Sequence, residues 1–271
     1  MLTLVTAWYN FKAKFNIEVY RKWISNLLLN VKEFKLIIFT NEESKWLIED
    51  NININLKIII LEIEDFYGYQ FKDQWIYNHT QNHLLNTKVD WRVNMLWAEK
   101  IAFVKRAIEN NYFAEECRED EEWFGWCDIG YFRGGPTNMA IHKMKEWPNK
   151  NKIAVLDRSK IYYTQVCDHS ILNFLARIIL QKNEKGLPIQ PIPENQTSVA
   201  GGFFLITPAT INWWNQVFYN RLNEYFKNNY LVKDDQIIIL DCIINNLTKF
   251  KLIKETVPGM NEWFAFSHYL L

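Results

Sequence analysis

The sequence predicts an α/β fold, a mixed and mostly parallel sheet flanked by helices, in a single domain over residues 1–271. Three observations lead there. Through the first 65 residues, short apolar β-branched runs alternate with helical stripes, and strands joined by crossover helices pair in parallel. Hydrophobic residues make up 49% and aromatics 16%, with 12 Trp, 13 Tyr and 18 Phe, enough for a large core with rings left over to line a cleft. At 271 residues, an α/β chain commonly remains one unit.

Leu2 to Ala7 reads as the first strand, and Ile17 to Leu29 places Val19, Tyr20, Trp23, Ile24, Leu27 and Leu28 on one helical stripe. Lys35 to Thr40 is a second buried strand ended by Asn41, Ser44 to Glu49 a short helix, and Leu56 to Ile63 a third strand. Ligands of such sheets bind beyond the carboxyl ends of the strands, which here are Thr6, Ala7, Trp8 and Tyr9, then Thr40 and Asn41. Residues 64–94 are polar and aromatic, with a helical excursion around Asp73 to Leu85. Met95 to Asn110 is the clearest helix, since Trp97, Ile101, Val104 and Ile108 recur on a single face. The acidic tract E-E-C-R-E-D-E-E then leads to Trp123, and W-F-G-W-C forms a central buried strand that delivers Asp128 to its carboxyl end.

Further on, Ile153 to Leu156 reads as a strand, Ile171 to Leu180 as a helix, and residues 183–198, with Gly186, Pro188, Pro191 and Pro193, as a long loop or flap. A-G-G-F-F-L-I-T is a strand opened by paired glycines, followed by a helix from Pro208 to about Asn228. Asp234-Asp235-Gln236 opens one more helix, with carboxylates where a helix N-terminus favours them. The final W-F-A-F-S-H-Y-L-L carries enough rings to pack the tail down.

Composition removes several function classes. Lys+Arg and Asp+Glu balance at 31 each, so no summed field draws the chain to a nucleic acid or an anionic bilayer. No run approaches the length of a spanning helix, although an aromatic-rich surface leaves peripheral membrane contact open. Cys117, Cys127, Cys167 and Cys242 match neither a C-x-x-C pair nor zinc-finger spacing, and the N-terminus lacks the regions of a secretory signal. These features predict a cytoplasmic protein with reduced core thiols, in which the glycosylation triplets at Asn78, Asn195 and Asn246 are chance matches. His79, His83, His142 and His169 have no ligand spacing and read as structural. With no G-x-S-x-G, no Walker A and no G-x-G-x-x-G after the first strand, hydrolase, P-loop kinase and dehydrogenase readings lose support.

The chemistry-bearing residues each admit two readings. Asp128 at the end of an apolar strand is either an oxygen ligand displayed at the sheet edge or a turn and capping residue, and Gly130 beside it would let a ligand approach the backbone. Gly201-Gly202 is either a sugar-facing loop or a β-bulge or tight turn. Asp234-Asp235 is either an N-cap with a first-turn charge or a base, and both roles can coexist. Lys100 and Arg133 are either phosphate contacts or snorkelling surface cations.

W-C-D-I-G-Y-F-R at residues 126–133 resembles the strand-ending D-x-D region of GT-A (nucleotide-diphospho-sugar transferase, Rossmann-like) glycosyltransferases. The tract is most similar to that of the HtrL/YibB-type bacterial proteins, as are Thr6-Ala7-Trp8-Tyr9 and W-A-E-K at 97–100. Gly201-Gly202 resembles the glycine loop beneath the donor sugar, Asp234-Asp235 the x-E-D motif whose second acid is commonly the base of inverting members, and His268 a C-terminal metal-binding histidine. The resemblance implies transfer of a sugar from a nucleotide-diphosphate donor, UDP-linked in the first instance, to a glycan acceptor. It places the nucleotide at Thr6 to Tyr9 and Thr40 to Asn41, Asp128 toward the diphosphate, and Asp235 as base of an inverting reaction, with retention, in which Asp234 or Asp235 is a positioning group, as the open alternative. A bacterial or viral surface glycan such as lipopolysaccharide or capsule is the implied acceptor, which would bring a cytoplasmic enzyme to the inner membrane surface. Gly130 stands where the family has its second Asp, so the implied Mn²⁺ or Mg²⁺ is either held by Asp128 and His268 alone or absent. A non-catalytic sugar-nucleotide or glycan-binding protein on the same scaffold is the alternative. A sugar nucleotidyltransferase is disfavoured because T-A-W-Y-N-F-K lacks a glycine-rich loop.

Overall fold

The computed structural model describes residues 1–50, 53–113 and 122–271; most of the acidic tract, with Cys117, lies outside the described residues. In chain order the elements are β1 (Leu2–Trp8), α1 (Ile17–Leu28), β2 (Lys35–Thr40), β3 (Leu56–Ile60), α2 (Lys72–Gln81), α3 (Trp91–Asn110), β4 (Trp123–Cys127), α4 (Lys150–Ala154), β5 (Ile161–Gln165), α5 (His169–Leu180), β6 (Val199–Ile206), α6 (Pro208–Lys227), α7 (Asp235–Asn245), β7 (Phe250–Ile253) and α8 (Phe266–Tyr269). The strands form one seven-stranded sheet in the order β3-β2-β1-β4-β6-β5-β7, with β4 in the middle. β1 to β4 run parallel, and β6 runs antiparallel to both its neighbours, β4 and β5. This is the mixed, mostly parallel α/β sheet that the sequence predicts.

The inner strands are covered on both faces, which explains why they read as continuous apolar runs. Val5 and Ala7 of β1 pack with Ile101 and Val104 of α3, whereas Leu2, Leu4 and Trp8 pack with Ile24 and Leu27 of α1 on the other side. Each Val, Leu or Ile among them contributes about 1.5–3 kcal/mol on full burial. Helix α1 starts where Asn16 accepts a hydrogen bond from Val19 N, and α3 starts at Trp91, four residues before the expected Met95, where Asp90 accepts from Arg92 N. The C-terminal rings hold the tail down as expected, with Phe264, Phe266 and Leu270 buried. Cys127, Cys167 and Cys242 are buried free thiols.

Two strand assignments change. Ile153 to Leu156 is not a strand: the run begins in α4, which Asn149 caps by accepting from Asn151 N, and Val155 is 80% exposed. A cap residue followed by one short turn overrides a four-residue apolar run. The strand of this region is β5, in which Ile161, Tyr162, Tyr163, Thr164 and Gln165 are all buried. β7, the edge partner of β5, is the second one that the apolar pattern leaves unmarked, because it is only four residues long. The third strand also ends early, at Ile60, where Leu61 N turns to donate to Thr40 O at 2.8 Å.

Candidate active site

Parallel pairing brings the carboxyl ends of β1, β2 and β4 to one edge of the sheet. Because β6 is antiparallel, it is the start of β6 that reaches this edge: Phe203 pairs with Cys127, and Asp128 N donates to Gly202 O at 2.8 Å. Helix α7 begins beside it, with Asp235 as its first residue. Asp128, Gly201-Gly202 and Asp234-Asp235, far apart in sequence, therefore line one cavity of about 480 Å³.

Lys100 sits at its base. It lies on the buried face of α3, its side chain only 5% exposed, so it is not a snorkelling surface lysine. Its Nζ donates to Gly201 O at 2.8 Å and lies 3.0 Å from Asp235 Oδ2 and 3.3 Å from Asp128 Oδ1. Burial by itself would push the ammonium pKa down, but the two carboxylates outweigh it and hold it raised. Asp235, 4% exposed, is raised to about 6: burial is the largest cause, Asp234 adds to it, and Lys100 pulls the other way. The carboxylate is therefore ionised at neutral pH and can take up a proton just below it. Asp128 is the open member, with 42% of its side chain exposed and Oδ1 accepting from Trp126 Nε1 at 2.6 Å.

The paired glycines are explained by these carboxylates. A Cβ on Gly201 would lie 2.6 Å from Asp235 Oδ2, and one on Gly202 would lie 3.2 Å from Asp128 Oδ2. The close approach, rather than a turn, demands glycine here. Gly130 has a different neighbour: a Cβ there would lie 2.8 Å from Cε3 of Trp23, so an indole closes off the space that a side chain at this position would need.

The rim is cationic and aromatic. Arg133 donates from Nε to Gly130 O at 3.1 Å, and its guanidinium lies over the rings of Trp23, Phe264 and Phe15 at 4.2, 4.9 and 5.4 Å. Lys14 stands over Trp97 at 4.6 Å, its pKa lowered by burial. Lys233 pairs with Asp234 Oδ2 at 3.0 Å. The side-chain amide of Gln196 and Oδ1 of Asp234 are buried in the cavity wall without a hydrogen-bond partner. The cavity thus offers four basic side chains against three carboxylates, together with unpaired polar atoms that a hydroxylated ligand can satisfy.

Several sequence-predicted residues lie elsewhere. Thr6, Ala7, Trp8, Tyr9, Thr40 and Asn41 are buried and do not line this cavity. Tyr9 donates its hydroxyl to Leu61 O, Thr40 Oγ1 donates to Trp8 O, and Asn41 Oδ1 accepts from Ser44 N. His268 also does not line the cavity, and its Nδ1 is hydrogen-bonded to Glu255 Oε2 at 2.8 Å. The residues do not fit a divalent cation. Lys100 already stands between the two carboxylates, the Trp23 ring leaves no room for a ligating side chain at position 130, and no group of three or more His, Cys, Asp or Glu side chains arranged to hold a metal is found among the described residues. Sequence reasoning missed Lys14, Phe15, Tyr20 and Gln196. The basic and aromatic F-K-A-K-F tract after β1 was the available signal for the first two, whereas nothing local distinguishes Gln196 within its proline-rich loop.

Among the described residues no helix is long and apolar enough to cross a membrane. No protein-family model matches the sequence, and no curated protein matches it, so the likeness to the HtrL/YibB-type proteins is one of motifs. Among solved structures, the chain is similar to the galactosyltransferase LgtC in complex with donor and acceptor sugar analogues, with a TM-score of 0.46 and 10% identity over 93% of this chain and 73% of that one. It is also similar to an active-site mutant of LgtC, with a TM-score of 0.43 and 13% identity over the same shares. What the chain does is therefore read from its own residues.

Proposed function

We propose that the chain is a glycosyltransferase that moves a sugar from a nucleotide-diphosphate donor to a glycan hydroxyl, with Asp235 as base and inversion at the anomeric carbon. The observation that carries this reading is the meeting of Asp128, Asp235 and Lys100 beneath Gly201-Gly202 in a cavity rimmed by cations and rings. In the proposed reaction, the acceptor hydroxyl gives its proton to Asp235 and its oxygen bonds the anomeric carbon. The bond from that carbon to the diphosphate oxygen breaks, and the nucleoside diphosphate leaves with the electron pair. Lys14 and Arg133 face the diphosphate, aromatic rings line the sugar and acceptor path, and the unpaired atoms of Gln196 and Asp234 take sugar hydroxyls. A surface glycan such as lipopolysaccharide or capsule remains the acceptor class we favour, by resemblance.

One observation favours the non-catalytic alternative. Asp235 is almost fully buried and held by Lys100, so a protein that only binds a sugar nucleotide would need no change to this geometry. Incubating the protein with UDP-, GDP- and dTDP-sugars, with and without Mn²⁺, separates the two. Release of nucleoside diphosphate that Asp235→Asn abolishes supports transfer chemistry, whereas binding without turnover assigns a binding protein.

A further inference from the structure

We infer that Lys100 takes the position a divalent cation would need, and that donor binding at this site does not depend on a divalent metal. The inference rests on the glycosyltransferase reading for the identity of the donor but on geometry for the cation. The ammonium donates to Gly201 O at 2.8 Å and is ion-paired with Asp235 Oδ2 at 3.0 Å and Asp128 Oδ1 at 3.3 Å, so its charge already stands between the two carboxylates. A cation bridging Asp128 to Asp235 would have to displace that ammonium into a wall from which water is excluded, an uncompensated buried charge. The second oxygen ligand that a metal would recruit is blocked from the other side, because Gly130 is packed against the Trp23 ring. Asp128 Oδ1 is moreover already committed to Trp126 Nε1.

The negative charge of the departing diphosphate then needs another partner, and the rim supplies it. Arg133 is fixed in place by three rings and by its Nε bond to Gly130 O, with no partner for its terminal nitrogens among the described residues. A guanidinium held this way presents a preorganised pair of donors to phosphate oxygens. Lys14 adds a second cation to the same cavity. Lys100 acts on the reaction through Asp128 and Asp235 and is a positioning residue; Arg133 and Lys14 meet the anion.

Two measurements on the whole chain test this. Mn²⁺ titrated into the nucleotide-free protein and followed by electron paramagnetic resonance is expected to stay free with the natural chain, and to be captured once per chain by Lys100→Ala, where the vacated space joins two carboxylates. Asp128→Asn added to Lys100→Ala is expected to release it. Capture of Mn²⁺ by the natural chain, lost on Asp128→Asn, overturns the inference without any need for the Lys100 variant to fold. Calorimetric titration with UDP, GDP and dTDP is expected to give the same affinity in EDTA as in Mn²⁺ to within about twofold, with about a tenfold loss on Arg133→Ala. An affinity that EDTA lowers about tenfold or more also overturns it. If none of the three binds in either buffer, the glycosyltransferase reading fails, and Mn²⁺ capture by the free protein still decides the assignment of Lys100.

Discussion

Two groups of residues stand at the same edge of the sheet, and they are built in opposite ways. At the ends of β1 and β2, the side-chain oxygens of Tyr9, Thr40 and Asn41 bond to nearby backbone, Thr6 Oγ1 and Trp8 Nε1 are buried without a hydrogen-bond partner, and these five residues and Ala7 are all buried and uncharged. Beyond β4 and the start of β6, charged groups converge instead: Lys100 is buried against two carboxylates, Asp128 is half open, and atoms of Asp234 and Gln196 lack partners. The first group fastens strand to strand and strand to loop. The second stores like charge, which is costly in a fold and useful only where a ligand or a proton completes it. Position at a strand's carboxyl end is thus not enough to make a site; the convergence of charge in one cavity sets the second group apart.

The largest expected effect lies in the second group. Asp235→Asn keeps the shape but removes the proton acceptor, and should lower the rate of nucleoside diphosphate release by about 10²–10⁴-fold while changing nucleoside diphosphate affinity less than about tenfold. Unchanged turnover would end the assignment of Asp235 as base. The pH profile follows with definite signs. With the Asp235 pKa raised to about 6, kcat/KM should fall about tenfold per pH unit below 6, because the carboxylate must be ionised to act. Stability moves the other way. The folded state holds the proton more tightly than the unfolded value of 3.8, so this contribution is fully present below pH 3.8 and is lost as pH rises through about 6. A shift of that size corresponds to about 3 kcal/mol at most. Glu99, raised to about 7 by burial that outweighs the lowering effect of the donors Gly68 N, Tyr67 N and Tyr219 OH, adds a loss of the same sign that extends to pH 7. Urea midpoints across this range, compared with those of Asp235→Asn and Glu99→Gln, would check it.

Gly201→Ala sharpens the comparison at closer range. Its Cβ would meet Asp235 Oδ2 at 2.6 Å, and overpacking of this kind costs about 1–3 kcal/mol in urea denaturation; Gly202→Ala, at 3.2 Å from Asp128 Oδ2, should cost less. The smallest effect belongs to the first group. Thr40→Val removes the bond to Trp8 O and should cost about 1 kcal/mol, with nucleotide affinity changed less than about twofold. A tenfold loss of affinity would show that the nucleotide reaches the β1 and β2 ends after all, and would break the contrast.

Much of the framework was legible in the chain. Continuous apolar runs marked β1, β2, β4 and β6, because strands buried on both faces need no polar positions. Asp128, Gly201-Gly202 and Asp234-Asp235 were legible as candidates because each follows or opens an element whose boundary is set by local chemistry. β5 was missed: its I-Y-Y-T-Q run follows a capped turn whose apolar residues imitate a strand, and only the space between β6 and β7 shows where the strand lies.

The sequence by itself determined the alternation of strands and helices, the central place of W-F-G-W-C and the polar residues that end its elements, since periodicity and caps act over a few residues. Only the tertiary structure decided that Lys100 is buried against Asp128 and Asp235, that Trp23 fills the space beside Gly130, and that His268 turns to Glu255 rather than lining the cavity. Those outcomes depend on the antiparallel course of β6 and on which helix covers which face. They join residues from 13 to more than a hundred positions apart, beyond the reach of periodicity and caps.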